Sequence, residues 1–129
     1  MAINNLKKTV LIVEDDTALS TALMQKFQNE GLAVLTALNG EEAKKIALSQ
    51  HPNIITLDLL MPVEDGINFM DEIRQDVWGK TVPIIILTNY EANDKMVSKI
   101  MEDKPVFYLI KSNTKLESVV DKVKEILKI

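Results

Sequence analysis

The residues best equipped for chemistry in this sequence stand at the ends of apolar runs. Glu14-Asp15-Asp16 follow Val10-Leu11-Ile12-Val13, and Asp58 follows Ile54-Ile55-Thr56-Leu57. Thr88 closes Ile84-Ile85-Ile86-Leu87, and Lys111 follows Tyr108-Leu109-Ile110. Carboxylates gathered about 4 Å apart repel by roughly 4 kcal/mol per pair at an effective dielectric near 20, so they must bind a cation, take up protons or be solvated apart. Oxygen ligands without His or Cys favour a hard cation, and magnesium keeps waters beside its few carboxylates and a phosphate oxygen. Lys111 supplies a point charge for an anion, and Thr88 a hydroxyl donor. These are the parts that phosphoryl transfer needs, because positioning and charge neutralisation do most of that catalysis. A carboxylate can itself be the nucleophile, giving an aspartyl-phosphate.

Such side chains act together only if the strands that carry them end at one edge. Five β-type runs recur, at Thr9–Val13, Ala33–Ala37, Ile54–Asp58, Pro83–Thr88 and Val106–Ile110. Most are continuously apolar, as strands covered on both faces are. Helical spacing lies between and after them: Leu19, Ala22, Leu23 and Phe27, stopped at Gly31; Ala43, Ile46 and Ala47; Ile67, Met70 and Ile73; Met96, Val97, Ile100 and Met101. A last helix carries Leu116, Val119, Val120, Val123, Ile126 and Leu127, and Thr114 with Glu117 gives it a capping-box start. Met70, Met96 and Met101 are expected in the core. Five β-α repeats argue a doubly wound parallel sheet with right-handed crossovers, whose ligands bind beyond the carboxyl ends of the strands.

Composition removes other classes. The chain has 129 residues, 47% hydrophobic and 26% charged, which suits one globular domain over residues 1–129 and excludes a disordered or collagen-like chain. With no cysteine, disulfides and thiolate metal sites are excluded. A net charge of −4, from 19 acids and 15 bases, gives no footprint for nucleic acid. Apolar stretches such as Val10–Val13 are far too short for a membrane span or a secretory signal, so the expectation is a soluble cytoplasmic domain without membrane contact.

Each residue alone has an ordinary reading. Glu14-Asp15-Asp16 also suit a helix N-terminus, where acids offset the macrodipole. Asp58 alone suits a strand-end cap, and Lys111 alone a solvated lysine. His51, before Pro52, reads as a loop residue rather than a phosphotransfer histidine, and Trp78 as closing the third helix or the edge of the core. It is the joint placement, each group after its own strand, that favours a site.

The blocks Val10–Asp16, Leu57-Asp58-Leu59-Leu60-Met61-Pro62 with Asp65-Gly66, Pro83–Thr88 and Tyr108–Lys111 resemble the receiver domain of two-component response regulators along essentially the whole chain. The resemblance implies an α/β, flavodoxin-like, five-stranded parallel sheet of order 2-1-3-4-5 with five helices. It implies that Asp58 accepts a phosphoryl group from the phosphohistidine of a sensor histidine kinase or phosphotransfer protein. Mg2+ would be held by Asp15, by Glu14 through water, by Asp58 and by the Leu60 carbonyl, with Asp16 no ligand. Thr88 and Lys111 would bond the phosphoryl oxygens. Tyr108 would be the switch aromatic, turning inward with Thr88, so that the face of the fourth helix, fifth strand and fifth helix changes its affinity for a downstream protein. A monomer or a phosphorylation-dependent dimer is implied, and no enzyme beyond the domain's own phosphorylation and dephosphorylation.

Three departures stand out. Ser112 follows Lys111 where the family has proline, Asn89 follows Thr88 where it keeps Ala or Gly and would crowd the phosphate entrance, and Leu60 and Tyr90 occupy positions that tune loss of the phosphoryl group. An apolar residue and a bulky ring offer poor help to an attacking water, so slow dephosphorylation is expected. The alternative is a pseudo-receiver, a phosphorylation-independent interaction module. A haloacid-dehalogenase-type phosphatase needs a second Asp where Leu60 stands, and a flavodoxin needs a Ser/Thr-rich phosphate loop where Glu14-Asp15-Asp16 stand.

Overall fold

The computed structural model describes residues 7–61, 66–91 and 93–129. Pro62 and Asp65, two of the residues that carry the resemblance, lie outside the described residues. The strands are β1 (Thr9–Val13), β2 (Ala33–Ala37), β3 (Ile54–Leu57), β4 (Ile84–Thr88) and β5 (Phe107–Ile110). The helices are α1 (Thr17–Asn29), α2 (Gly40–Gln50), α3 (Gly66–Arg74), α4 (Asp94–Glu102) and α5 (Leu116–Leu127). All strand pairs are parallel, in the order β2-β1-β3-β4-β5. Asp58, Pro83 and Val106 fall just outside the strands, yet each keeps a backbone bond to its neighbour: Asp58 N–H to the Val13 carbonyl, Ile55 N–H to Pro83, and Val106 N–H to Ile84.

Alternation along the strands divides the core in two. Leu11, Val13, Ile55, Leu57, Ile84 and Ile86 face one side, with Phe69, Met70 and Ile73 of α3. Val10, Ile12, Ile54, Ile85 and Leu87 face the other, with Leu23 and Phe27 of α1 and Val119 and Val123 of α5. Because Val10 to Val13 and Ile84 to Ile86 are covered from both sides, their runs are apolar throughout.

Helix ends follow local chemistry. Asp16 caps α1, its carboxylate accepting from the Ala18 and Leu19 amides at 3.0 and 3.3 Å. The helix gives way to Gly31 at φ 85°, a left-handed position that glycine adopts without a Cβ clash. Gly66 is required for a different reason: a Cβ there would lie 2.3 Å from the Asp58 carbonyl oxygen, so α3 can begin against the backbone of Asp58 only with glycine.

Two expectations are corrected. The Thr114–Glu117 capping box does not form. A 3-10 turn over Lys111–Asn113 leaves Thr114 extended, and Lys115, without a side-chain cap bond, becomes the N-cap of α5. Glu117 instead reaches across to Lys26 at 2.8 Å. Met101 is 52% exposed, and of α4 only Ile100 is fully buried, with Met96 packed at the core's edge. Nine residues carry one narrow apolar stripe, which turns Val97 and Met101 outward. His51 is the left-handed C-cap of α2, and its ring stacks on Trp78, which packs against the core edge.

Candidate functional site

Register brings the polar groups together. Val13 lies beside Leu57 and Leu57 beside Ile86, while Thr88 lies beside Ile110. The residues that come next, Glu14, Asp58 and Lys111, therefore emerge at one edge with Thr88. Three of the groups are buried there: Glu14, Asp58 and Thr88 are 2%, 4% and 0% exposed. Asp15 beside them is exposed.

Asp58 has both carboxylate oxygens engaged. Oδ1 accepts from the Thr88 hydroxyl at 2.6 Å and from the Leu60 amide at 3.0 Å. Oδ2 accepts from Lys111 Nζ at 2.8 Å. The same ammonium lies 2.8 Å from Glu14 Oε1, and Glu14 Oε2 accepts from the Asp16 amide at 3.0 Å. Lys111 is thus a bridge between two buried acids rather than a solvated lysine. Its pairing with Glu14 was not among the roles read from the sequence.

Charge is nevertheless unbalanced, with three carboxylates to one ammonium. Burial pushes the Glu14 carboxyl above the usual range, and the Asp58 charge adds to this, outweighing the bonds from Lys111 and the Asp16 amide. For Lys111, burial opposes the charged form, but the bonds from Asp58 and Glu14 prevail and raise its pKa. Both directions hold at once, because one ammonium is divided between two acids.

Glu14, Asp15 and Asp58 each offer an oxygen within 4.8 Å of the others. Oxygen donors only, two of them buried and all in excess of their counter-charge, fit a hard divalent cation. The Leu60 side chain is half exposed beside this cluster. Asp16 is turned away to cap α1, so the acidic triplet divides between a helix cap and a site.

Beyond Thr88, a chain of bonds leads outward. The Tyr90 amide donates to Thr88 Oγ1 at 3.1 Å, and the Tyr108 hydroxyl donates to the Tyr90 carbonyl at 2.6 Å. Burial raises the Tyr108 phenol above its usual pKa, with Tyr90 and Asp58 nearby adding to the shift. Tyr90, Tyr108, Val97, Met101 and Ile110 line an apolar groove of about 300 Å³. Among the two departures beside the site, Asn89 is exposed and its carboxamide oxygen accepts from the Ser112 amide at 3.0 Å. The Lys111–Ser112 bond is trans.

A five-stranded parallel sheet with buried acids, a hydroxyl and a lysine at its carboxyl edge defines a doubly wound α/β domain whose polar groups gather where such folds bind ligands. The family described as "Response regulator receiver domain" matches residues 10–124, and this chain belongs to it. The alkaline phosphatase synthesis transcriptional regulatory protein PhoP of Bacillus subtilis is 34% identical over 96 residues, covering 74% of this chain and 38% of that protein. The chain spans about a third of the length of the curated relatives it matches. Among solved structures, a two-component response regulator from Clostridium difficile superposes with a TM-score of 0.83 at 27% identity, over 95% of this chain and 97% of that one. The chemotaxis protein CheY4 of Vibrio cholerae gives 0.83 at 25%, over 94% and 99%. The order 2-1-3-4-5 expected from the sequence is the observed one. No helix among the described residues is long and apolar enough to cross a membrane.

Proposed function

We propose that the chain is a phosphoacceptor in a two-component or phosphorelay system, taking a phosphoryl group onto Asp58 in the cytoplasm from the phosphohistidine of a sensor kinase or phosphotransfer protein. The observation that carries this reading is the buried Asp58 carboxylate, gripped by Thr88 on one oxygen and by Lys111 on the other. An Asp58 oxygen attacks phosphorus, the P–N bond breaks, and the imidazole leaves to take up a proton. Lys111 and Thr88 then exchange their carboxylate contacts for phosphoryl oxygens, where the ammonium and the hydroxyl offset the added negative charge. Asp15, Asp58, Glu14 and the Leu60 carbonyl are the groups to hold magnesium, which when bound supplies positive charge against the acids and the phosphoryl oxygens. The domain performs no other catalysis.

Phosphorylation would change the Thr88–Tyr90–Tyr108 chain and with it the α4-β5-α5 face that a downstream protein reads, the chain acting as a monomer or as a phosphorylation-dependent dimer. Leu60 is apolar and Tyr90 is a bulky ring, poor help to a hydrolytic water, so the acyl phosphate lasts minutes to hours. Wild type losing its phosphate no more slowly than Tyr90→Ser would end that part of the reading. The test of the whole is intact mass after incubation with acetyl phosphate, with and without magnesium, beside Asp58→Asn. One added phosphoryl group requiring both magnesium and Asp58 supports it; a magnesium-dependent adduct that persists in Asp58→Asn contradicts it.

A further inference from the structure

We propose that Asn89 is a positioning residue of this site: its carboxamide oxygen holds the Ser112 amide and thereby sets where Lys111 presents its ammonium group. The inference rests on the phosphoacceptor reading for its consequence, though not for its geometry.

Pairing between β4 and β5 ends at Thr88 and Ile110. Beyond it, the chain after Ile110 winds into the 3-10 turn Lys111–Asn113, whose opening amides have no partner inside the turn. Ordinarily the residue before such a turn supplies a side-chain acceptor. Here that residue is Ile110, which has none, and no side-chain cap is made. Asn89 supplies the acceptor from across the sheet, 3.0 Å from the Ser112 nitrogen.

The position of this bond gives it more than local meaning. Asn89 directly follows Thr88, which donates to Asp58 Oδ1, and Ser112 directly follows Lys111, which donates to Asp58 Oδ2. The Asn89–Ser112 bond therefore joins the two arms that grip one carboxylate. It lies in a segment pinned residue by residue: Thr88 to Asp58, Asn89 to Ser112, and the Tyr90 carbonyl to Tyr108. Lys111 is the first residue of the turn, so the direction of its Cα–Cβ bond follows the turn's placement. Its ammonium must reach Glu14 and Asp58 together, at 2.8 Å each. The two departures at positions 89 and 112 are thus one device.

This device and simple crowding predict opposite results. If Asn89 only obstructs the entrance, Asn89→Ala opens it and phosphoryl uptake speeds up. If Asn89 positions Lys111, Asn89→Ala slows uptake from acetyl phosphate by about tenfold, because small misplacements of a charge-neutralising group are costly in rate. The melting temperature should scarcely move, since the bond is solvent-accessible and water replaces it. A second readout is independent of phosphorylation: the NMR signals of the Lys111 ε-methylene group, followed in the free protein. They should shift toward those of a solvated lysine in Asn89→Ala and in the bulkier Asn89→Leu, and return in Asn89→Asp, which keeps the accepting oxygen. Uptake that is unchanged or faster in Asn89→Ala, or slower with Lys111 signals unmoved, overturns the proposal. If wild type itself gains no phosphoryl group, the functional reading fails and the Lys111 signals decide the positioning role alone.

Discussion

Lys111 stands 2.8 Å from Glu14 and from Asp58 at the strand edge, while Lys26 stands 2.8 Å from Glu117 and Lys124 2.7 Å from Glu30 across the seam between α1 and α5. The lengths match, but the surroundings do not. The Glu14 and Asp58 side chains are 3% and 5% exposed, against 69% for Glu117 and 36% for Glu30. Water and salt screen the outer pairs, whereas the inner carboxylates have lost their hydration and depend on one ammonium. The same chemical pairing thus fastens two helices lightly in one place and holds two buried carboxylates on one ammonium in the other. Burial, and not bond length, separates a surface tie from a site.

That contrast is most sharply broken at its lysines. Lys111→Ala leaves two buried acids without their counter-charge, and metal-free stability from urea unfolding should fall by about 3 kcal/mol, the usual cost of breaking a buried pair. No change there would make the inner pair another surface tie. Next in size is the effect of magnesium, which on the proposed reading binds the folded carboxylates and not the unfolded chain. At a hundredfold excess over its dissociation constant it should stabilise by about 2.7 kcal/mol and raise the melting temperature, and Asp15→Asn should remove most of that gain. An equal rise in Asp15→Asn would place the ion elsewhere.

A smaller effect lies in pH. Burial, with the Asp58 charge, raises the Glu14 pKa above 4.5, so the folded chain binds that proton more tightly than the unfolded chain does. Ionising Glu14 therefore costs stability, which is fully present below pH 4.5 and lost as pH rises through the raised pKa. The metal-free melting temperature of wild type should fall relative to Glu14→Gln over that range; a pH-independent gap would contradict the desolvated-acid picture. Least of all should be Lys124→Ala, which opens the exposed pair with Glu30 and should leave melting almost unchanged. A fall as large as that of Lys111→Ala would erase the distinction between the regions.

Most of the fold was legible because its signals are local and repeated: apolar runs covered on both sides, helical spacing over α1 and α5, and a glycine where α1 stops. The grouping of Glu14, Asp58, Thr88 and Lys111 was legible because register is strict, so residues that end neighbouring strands emerge at one edge. What escaped depends on contacts without period. Thr114 and Glu117 have capping-box spacing, but a 3-10 turn upstream moved the helix start to Lys115. Met101 fits helical spacing, yet α4 is too sparsely apolar to bury it. Lys111 reads from the sequence as an anion binder, and its second partner Glu14 follows only from the depth and direction of the side chains. The bond from Ser112 to Asn89 spans 23 positions between two loops and leaves no pattern in the sequence.

On the proposed reading, Asp58 is the one among the clustered acids held for phosphoryl transfer. Borohydride reduction after incubation with acetyl phosphate and magnesium converts an aspartyl-phosphate to homoserine, and peptide mapping locates it. Homoserine at position 58 alone, absent without magnesium, is the predicted result. Conversion at Asp15 or Asp16 with position 58 intact would contradict the account.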